Sequence, residues 1–216
     1  MGKLRLRFSK TGRAKYISHL DLMATFRRAL LRAGVKLRYT QGFNPHPVMS
    51  IALPLPVGCE SVCELLDFQP EDELAPSDML LQELNAAFPE GIEVFECYTP
   101  ERKAGEIKWI EVAGSFIYNA GPPPRALERL RERYAEQSIV ISKRTKSGVS
   151  DLDIVPHIRD VQFYDGDTIT MTAKLSAQNP SVSPENFTAA LTGELAPDFA
   201  TYRRTEVFDA EMNVFR

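Results

Sequence analysis

Leu4, Leu6 and Phe8 alternate with Arg5 and Arg7, a period-two pattern that predicts a half-buried strand with one wet face. Residues 10–17 break the alternation and read as a loop. A helix follows: Ser18 fits its N-cap, and Asp21 stands three residues on, as in a capping box. Leu22, Phe26, Ala29, Leu30 and Ala33 fall at helical spacing, and Gly34 suits the residue just past the C-cap. Residues 35–39 read as a short strand, followed by the proline-punctuated stretches QGFNPHP, 50–53 and PLPVG. Residues 64–69 predict another strand and 76–88 a helix with Met79, Leu80, Leu84 and Phe88 on its apolar face; 92–98 closes the half as a strand.

The second half repeats this order. Residues 107–118 predict a strand running into a Gly-Pro-Pro-Pro turn at 121–124. Residues 125–135 predict a helix rich in charge pairs, with Glu128 and Glu132 among Arg125, Arg129 and Arg133. Residues 138–145 read as a strand. Asp165-Gly166-Asp167 separates 161–164 from 168–175, a hairpin signal. A helix over 184–192 and a strand over 201–208 complete the chain. Each half therefore reads β-α-β-β-α-β, the order of the split βαβ. The expectation is an α+β protein of two tandem ferredoxin-like (βαββαβ) domains with antiparallel sheets, residues 1–103 and 104–216, joined near Pro100–Gly105.

Charge changes this picture more than composition does. The 216 residues carry a formal net charge of −3, which on its own argues for no polyanionic partner. Yet residues 1–58 hold eleven cations against Asp21 alone, and 59–101 hold twelve acids with no Lys or Arg. The first segment thus offers a basic face for phosphate or a carboxylate-rich partner, unless the two segments face each other. No apolar run is long enough to span a bilayer, so no membrane partner is expected. Three cysteines, an odd number, point to reduced thiols and the cytoplasm.

Candidate chemistry sits in two loops. The first, Ser9 to His19, carries Lys10, Arg13 and Lys15 ahead of a helix start at Ser18, a combination suited to anions. Arg28 and Arg32, four apart, extend that charge along the helix. The second loop holds Gln41, Asn44 and His46 between Gly42, Pro45 and Pro47, which stiffen it. A third basic turn, 143–148, reads as a solvated hairpin tip or, alternatively, as a further phosphate contact. His19, Asp21 and His46 make a conceivable 2-His-1-carboxylate set. No phosphate-loop, dinucleotide or nucleophile-elbow motif is present. Cys59 and Cys63 lack the further ligands of a zinc site, and Leu66 stands where a C-x3-C-x2-C cluster motif needs cysteine. No metal or cofactor is therefore expected.

The string FSKTGRAKYISHLDLMATFRRALLRAG, followed by YTQGFNPHP and ALPLPVG, resembles the radical SAM-linked, or radical SAM-associated, family (DUF2344). SGVSDLDIVPHI and the Arg204-Thr205-Glu206 ending extend the resemblance over most of the chain. Where members often carry Arg-Pro before the last helix, this chain has Asn179-Pro180 and Ser183-Pro184. The resemblance implies an accessory role beside a radical SAM protein, often in the setting of RNA metabolism, and brings no reaction with it. The leading expectation is a non-catalytic binding module that docks a radical SAM partner and holds RNA, or another phosphate-bearing ligand, on its basic half. Two other readings compete. One is a metal-independent RNA-processing enzyme with His19, His46 and Tyr16 as acid and base. The other is a structural docking adaptor using the acidic segment.

Overall fold

A computed structural model describes residues 2–145 and 148–216 and shows a mixed α+β protein in which every described strand pairing is antiparallel. The chain divides into two compact units, Met1–Glu106 with Arg216, and Ile107–Phe215.

The first unit runs β1 (Leu4–Lys10), α1 (His19–Arg32), β2 (Met49–Ile51), β3 (Glu60–Phe68), α2 (Asp78–Ala87) and β4 (Ile92–Tyr98). Its strands lie in the order β4-β1-β3-β2. Leu4, Leu6 and Phe8 are buried with Leu22, Phe26 and Leu30 of α1 and Leu80 and Leu84 of α2, so both helices supply apolar faces to one core. Phe26 is its centre. Its ring meets Phe8 at 4.6 Å and Phe88 at 4.7 Å, both edge to face, a geometry that adds quadrupole attraction to area burial.

Three expectations need correction here. The basic face of β1 is not wet: Arg5, Arg7 and Lys10 are all buried. Carboxylates make this tolerable. Arg5 grips Asp67 with two hydrogen bonds, Nε to Oδ1 at 2.6 Å and Nη2 to Oδ2 at 3.1 Å, and Arg7 lies 4.0 Å from Glu96. Burial opposes the Arg5 charge, but its bonds to Asp67 outweigh that cost and hold its pKa above the ordinary value. Residues 35–39 form no strand. They make only the isolated bridges Leu37↔Pro70 and Tyr39↔Pro47, and each ends on a proline that cannot donate the next ladder bond. The second strand is instead Met49–Ile51. Met79 is exposed rather than part of the α2 apolar face.

The second unit runs β5 (Trp109–Ile117), α3 (Ala126–Tyr134), β6 (Val140–Thr145), β7 (Gly148–Asp153), β8 (Ile158–Tyr164), β9 (Ile169–Ser176), α4 (Pro184–Thr188) and β10 (Phe199–Phe208). Its sheet has the order β10-β5-β9-β8. The predicted strand at 138–145 does not join that sheet: β6 pairs with β7 as a separate hairpin, and β8 takes the place beside β9. The middle of the basic turn, residues 146 and 147, lies outside the described residues. Tyr134 stacks on Phe187 at 4.2 Å and donates to its carbonyl at 2.6 Å, tying α3 to α4. The last helix is shorter than predicted, giving way before a 3-10 turn at Gly193–Leu195. No helix among the described residues is long and apolar enough to cross a membrane.

Phe26→Ala is expected to lower stability by about 3–5 kcal/mol in urea denaturation, because it empties the meeting point of three rings. Leu20→Ala, on the exposed side of the same helix, is expected to change stability by no more than about 0.5 kcal/mol.

Candidate functional site

The antiparallel register of β1 fixes which candidates can meet. Lys10 pairs with Ser61 and Ile92, while Leu4 pairs with Phe68 at the far end of the sheet. The loop that follows β1 therefore lies at one end of the unit. The loop that precedes β2 lies at the other, because Met49 also pairs with Phe68. The seven residues of β1 and the fourteen of α1 both span about 20 Å, so the two loops are about that far apart.

The first end is tightly self-bonded. The Lys10 ammonium donates to the carbonyls of Ile17 at 2.8 Å and Lys15 at 3.3 Å, clamping the 3-10 turn Gly12–Tyr16 from beneath. Desolvation lowers its pKa, partly countered by Glu64 and Cys59. Lys15 lies 3.8 Å from Glu60, which also accepts the Gly12 N–H at 3.1 Å. Gly91 closes against this turn. Its φ is +89°, and a Cβ there would stand 2.3 Å from the Thr11 carbonyl oxygen, so only glycine fits. Ser18 caps α1, accepting from the Asp21 N–H at 3.2 Å and donating to the Asp21 carboxylate at 2.7 Å. Arg13, Tyr16 and His19 are exposed. Of the three cations expected to form an anion site here, Lys10 is structural and Lys15 faces a carboxylate.

The second end is built by the close of α1. Gly34, at φ +73°, terminates the helix in a Schellman motif, with Val35 N–H donating to Leu30 O and Gly34 N–H to Leu31 O. Val35 and Leu37 are then buried, which leaves Lys36 and Arg38 exposed, as Arg28 and Arg32 of α1 are. Tyr39 and Pro47 bridge the neck of the second loop. Inside it, Thr40 N–H donates to the His46 carbonyl at 2.9 Å and His46 N–H to Thr40 Oγ1 at 3.1 Å. The His46 ring adds Nδ1 contacts to Thr40 Oγ1 at 3.1 Å and the Asn44 carbonyl at 3.3 Å. Gln41, Phe43 and Asn44 project from this pinned frame, and Phe43 is fully exposed.

The structure thus brings Arg32, at the close of α1, to the same end as Gln41, Asn44 and His46; Arg28 stands one turn back with its Nε donating to the Ala24 carbonyl at 3.2 Å, and Arg13, Tyr16, Ser18 and His19 lie at the other end. His19, Tyr16 and His46 share no centre. Nor do His19, Asp21 and His46, and no cluster of three or more His, Cys, Asp or Glu suited to a metal occurs among the described residues. Sequence reasoning missed Lys36, Arg38, Tyr39 and Phe43. The signal for Phe43 was its place between Gly42 and Asn44-Pro45, where no periodic element could bury it. Cys59 and Cys63 are buried, and burial pushes the Cys97 thiol up to about 11, away from a reactive thiolate.

A family described as an uncharacterized protein conserved in bacteria (DUF2344) matches residues 3–184, all of the first unit's elements and the second unit as far as the start of α4. The chain belongs to the DUF2344 family. Both loops of this DUF2344 protein lie within the matched span. No curated protein matches it. Among solved structures it is similar to an unknown protein from Galdieria sulphuraria, at 9% identity over 81% of each chain with a TM-score of 0.28, a likeness too slight to inform fold or function.

Lys10→Met is expected to lower stability by about 1–3 kcal/mol in chemical denaturation, because it strips the clamp from the Lys15 and Ile17 carbonyls. A Lys10→Met protein as stable as the parent would mean that the clamp contributes nothing.

Proposed function

We propose that this DUF2344 protein is a non-catalytic binding module whose ligand is RNA, held at the end of the first unit where α1 closes. The observation that carries the reading is the concentration within residues 28–43 of exposed cations and exposed aromatic rings, Arg28, Arg32, Lys36 and Arg38 with Tyr39 and Phe43, of which Lys36, Arg38 and Tyr39 line one cleft. That pairing of charge with stacking surface is the usual equipment for nucleic acid without strong sequence preference. No ion pair engages Arg32 or Arg38 among the described residues. The one at Lys36, with Asp72 at 3.8 Å, joins two exposed groups and exchanges at little cost.

The finer fold reading belongs to the same proposal. Each unit is read as a ferredoxin-like domain, supported by the β4-β1-β3-β2 order of the first and the equivalent β10-β5-β9-β8 order of the second, with β6–β7 as an inserted hairpin. The radical SAM partner rests on the sequence resemblance, and the module is read as its accessory. Three free thiols fit a reducing compartment such as the cytoplasm. The enzymatic alternative loses support because one of its three candidates, His46, lies about 20 Å from His19 and Tyr16, at the opposite end of β1.

Binding to a mixed-sequence single-stranded RNA, followed across a salt series, tests the reading. Each phosphate contact on a single strand contributes about 0.7 to the slope of log K against log salt. Replacing Arg28, Arg32 and Arg38 together by alanine is expected to reduce the slope by about 2, while Arg13→Ala, at the other end, leaves it unchanged. A triple variant that binds like the parent at every salt concentration would overturn the proposal and favour the adaptor reading.

A further inference from the structure

The same end of the first unit holds a cleft of about 390 Å³ lined by Leu31, Lys36, Leu37, Arg38, Tyr39 and Glu71. We infer that this cleft, with Phe43 exposed four residues beyond its Tyr39 wall, takes an unpaired nucleobase together with its phosphate, so that the module selects single-stranded over duplex RNA. The inference rests on the RNA-binding reading above and narrows it.

Four observations carry it. The volume lies within the range of small-ligand sites. The walls are mixed in a way that suits a nucleotide: Leu31, Leu37 and Tyr39 are apolar surface for a flat ring, and Lys36 and Arg38 are cations for a phosphate. Glu71 argues against a bare anion, because a carboxylate in the cleft repels phosphate alone yet accepts from the exocyclic amine of a base. Finally, the neck of the loop is pinned. Thr40 and His46 cross-bond it and Pro45 and Pro47 restrict its backbone, which lowers the backbone ordering cost of presenting the exposed Phe43.

A duplex cannot use these features. Its bases are stacked and paired, and the deep, narrow major groove of A-form RNA does not admit side chains. Its phosphates reach Arg28, Arg32 and Arg38, but its bases reach neither Tyr39 nor Phe43. An unpaired base can stack on either ring, a contact that alanine substitution typically shows to be worth roughly tenfold or more in affinity.

Fluorescence anisotropy on the full chain tests this with three probes: single-stranded RNA, an RNA duplex with the same number of phosphates, and heparin as a polyanion without bases. The single strand is expected to bind most tightly. Phe43→Ala and Tyr39→Ala are each expected to weaken single-strand binding roughly tenfold, with an unchanged salt slope and unchanged heparin binding, and Phe43→Trp restores it. Phe43 is fully exposed, so its removal leaves the fold intact. Equal affinity for all three probes, or alanine variants that bind the single strand like the parent, would overturn the inference while leaving the RNA-binding reading standing. Failure of all three probes to bind would overturn both.

Discussion

The antiparallel pairing of β1 with β3 is the constraint on which the first unit depends. It sets Leu4 against Phe68 and Leu6 against Leu66, which puts the apolar residues of both strands on the face that α1 and α2 cover. It also sets Arg5 against Asp67 on the other face, where a bidentate bond makes a buried cation tolerable. A slip of one residue would turn every side chain over, driving Arg5 and Arg7 into the core and stranding Asp67. The same register decides that the two polar loops lie at opposite ends. What the site can and cannot be thus follows from strand pairing before any side chain is considered.

Charge shows the same dependence. The excess of cations in residues 1–58 is real, but a sequence total does not say where charge reaches solvent. Arg5, Arg7 and Lys10 are absorbed inside the unit, and Lys15 meets Glu60. Apart from Lys3 and Arg13, the cations that stay exposed follow the outer side of α1 and the two residues that alternate with buried Val35 and Leu37. The acidic segment splits likewise: Asp67 is a buried partner of Arg5, whereas Glu71 lines the cleft. Part of the charge asymmetry is therefore architecture and the larger part is surface, and only the surface part bears on a ligand.

Local patterns were legible where local physics decides them. The alternation of Leu4, Leu6 and Phe8, the Ser18 cap, the Phe26 face and the Gly34 stop all appear as read, because each depends on neighbours within a turn or two of chain. The misreadings share one cause, a partner distant in sequence. Arg5 looked solvated because Asp67 stands 62 residues away. Residues 35–39 looked like a strand because their alternation is genuine, yet the proline partners Pro47 and Pro70 forbid a ladder. The strand at β6 and a hairpin turn after it were legible, but that β8 rather than β6 takes the place beside β9 was not. At the site, the loop from Gln41 to His46 was legible through its Gly and Pro residues. Tyr39 was assigned to a strand, and the cleft it lines needs the distant Glu71.

The central claim is one of place: ligand binds where α1 ends, not where it begins. Backbone amide NMR of the isotope-labelled full chain during titration with single-stranded RNA locates binding directly. The account predicts that the perturbed amides cluster at residues 28–46 and at Glu71, with Gly12 to His19 unmoved. Perturbations centred on Gly12 to His19, or confined to residues 107–215, would contradict it.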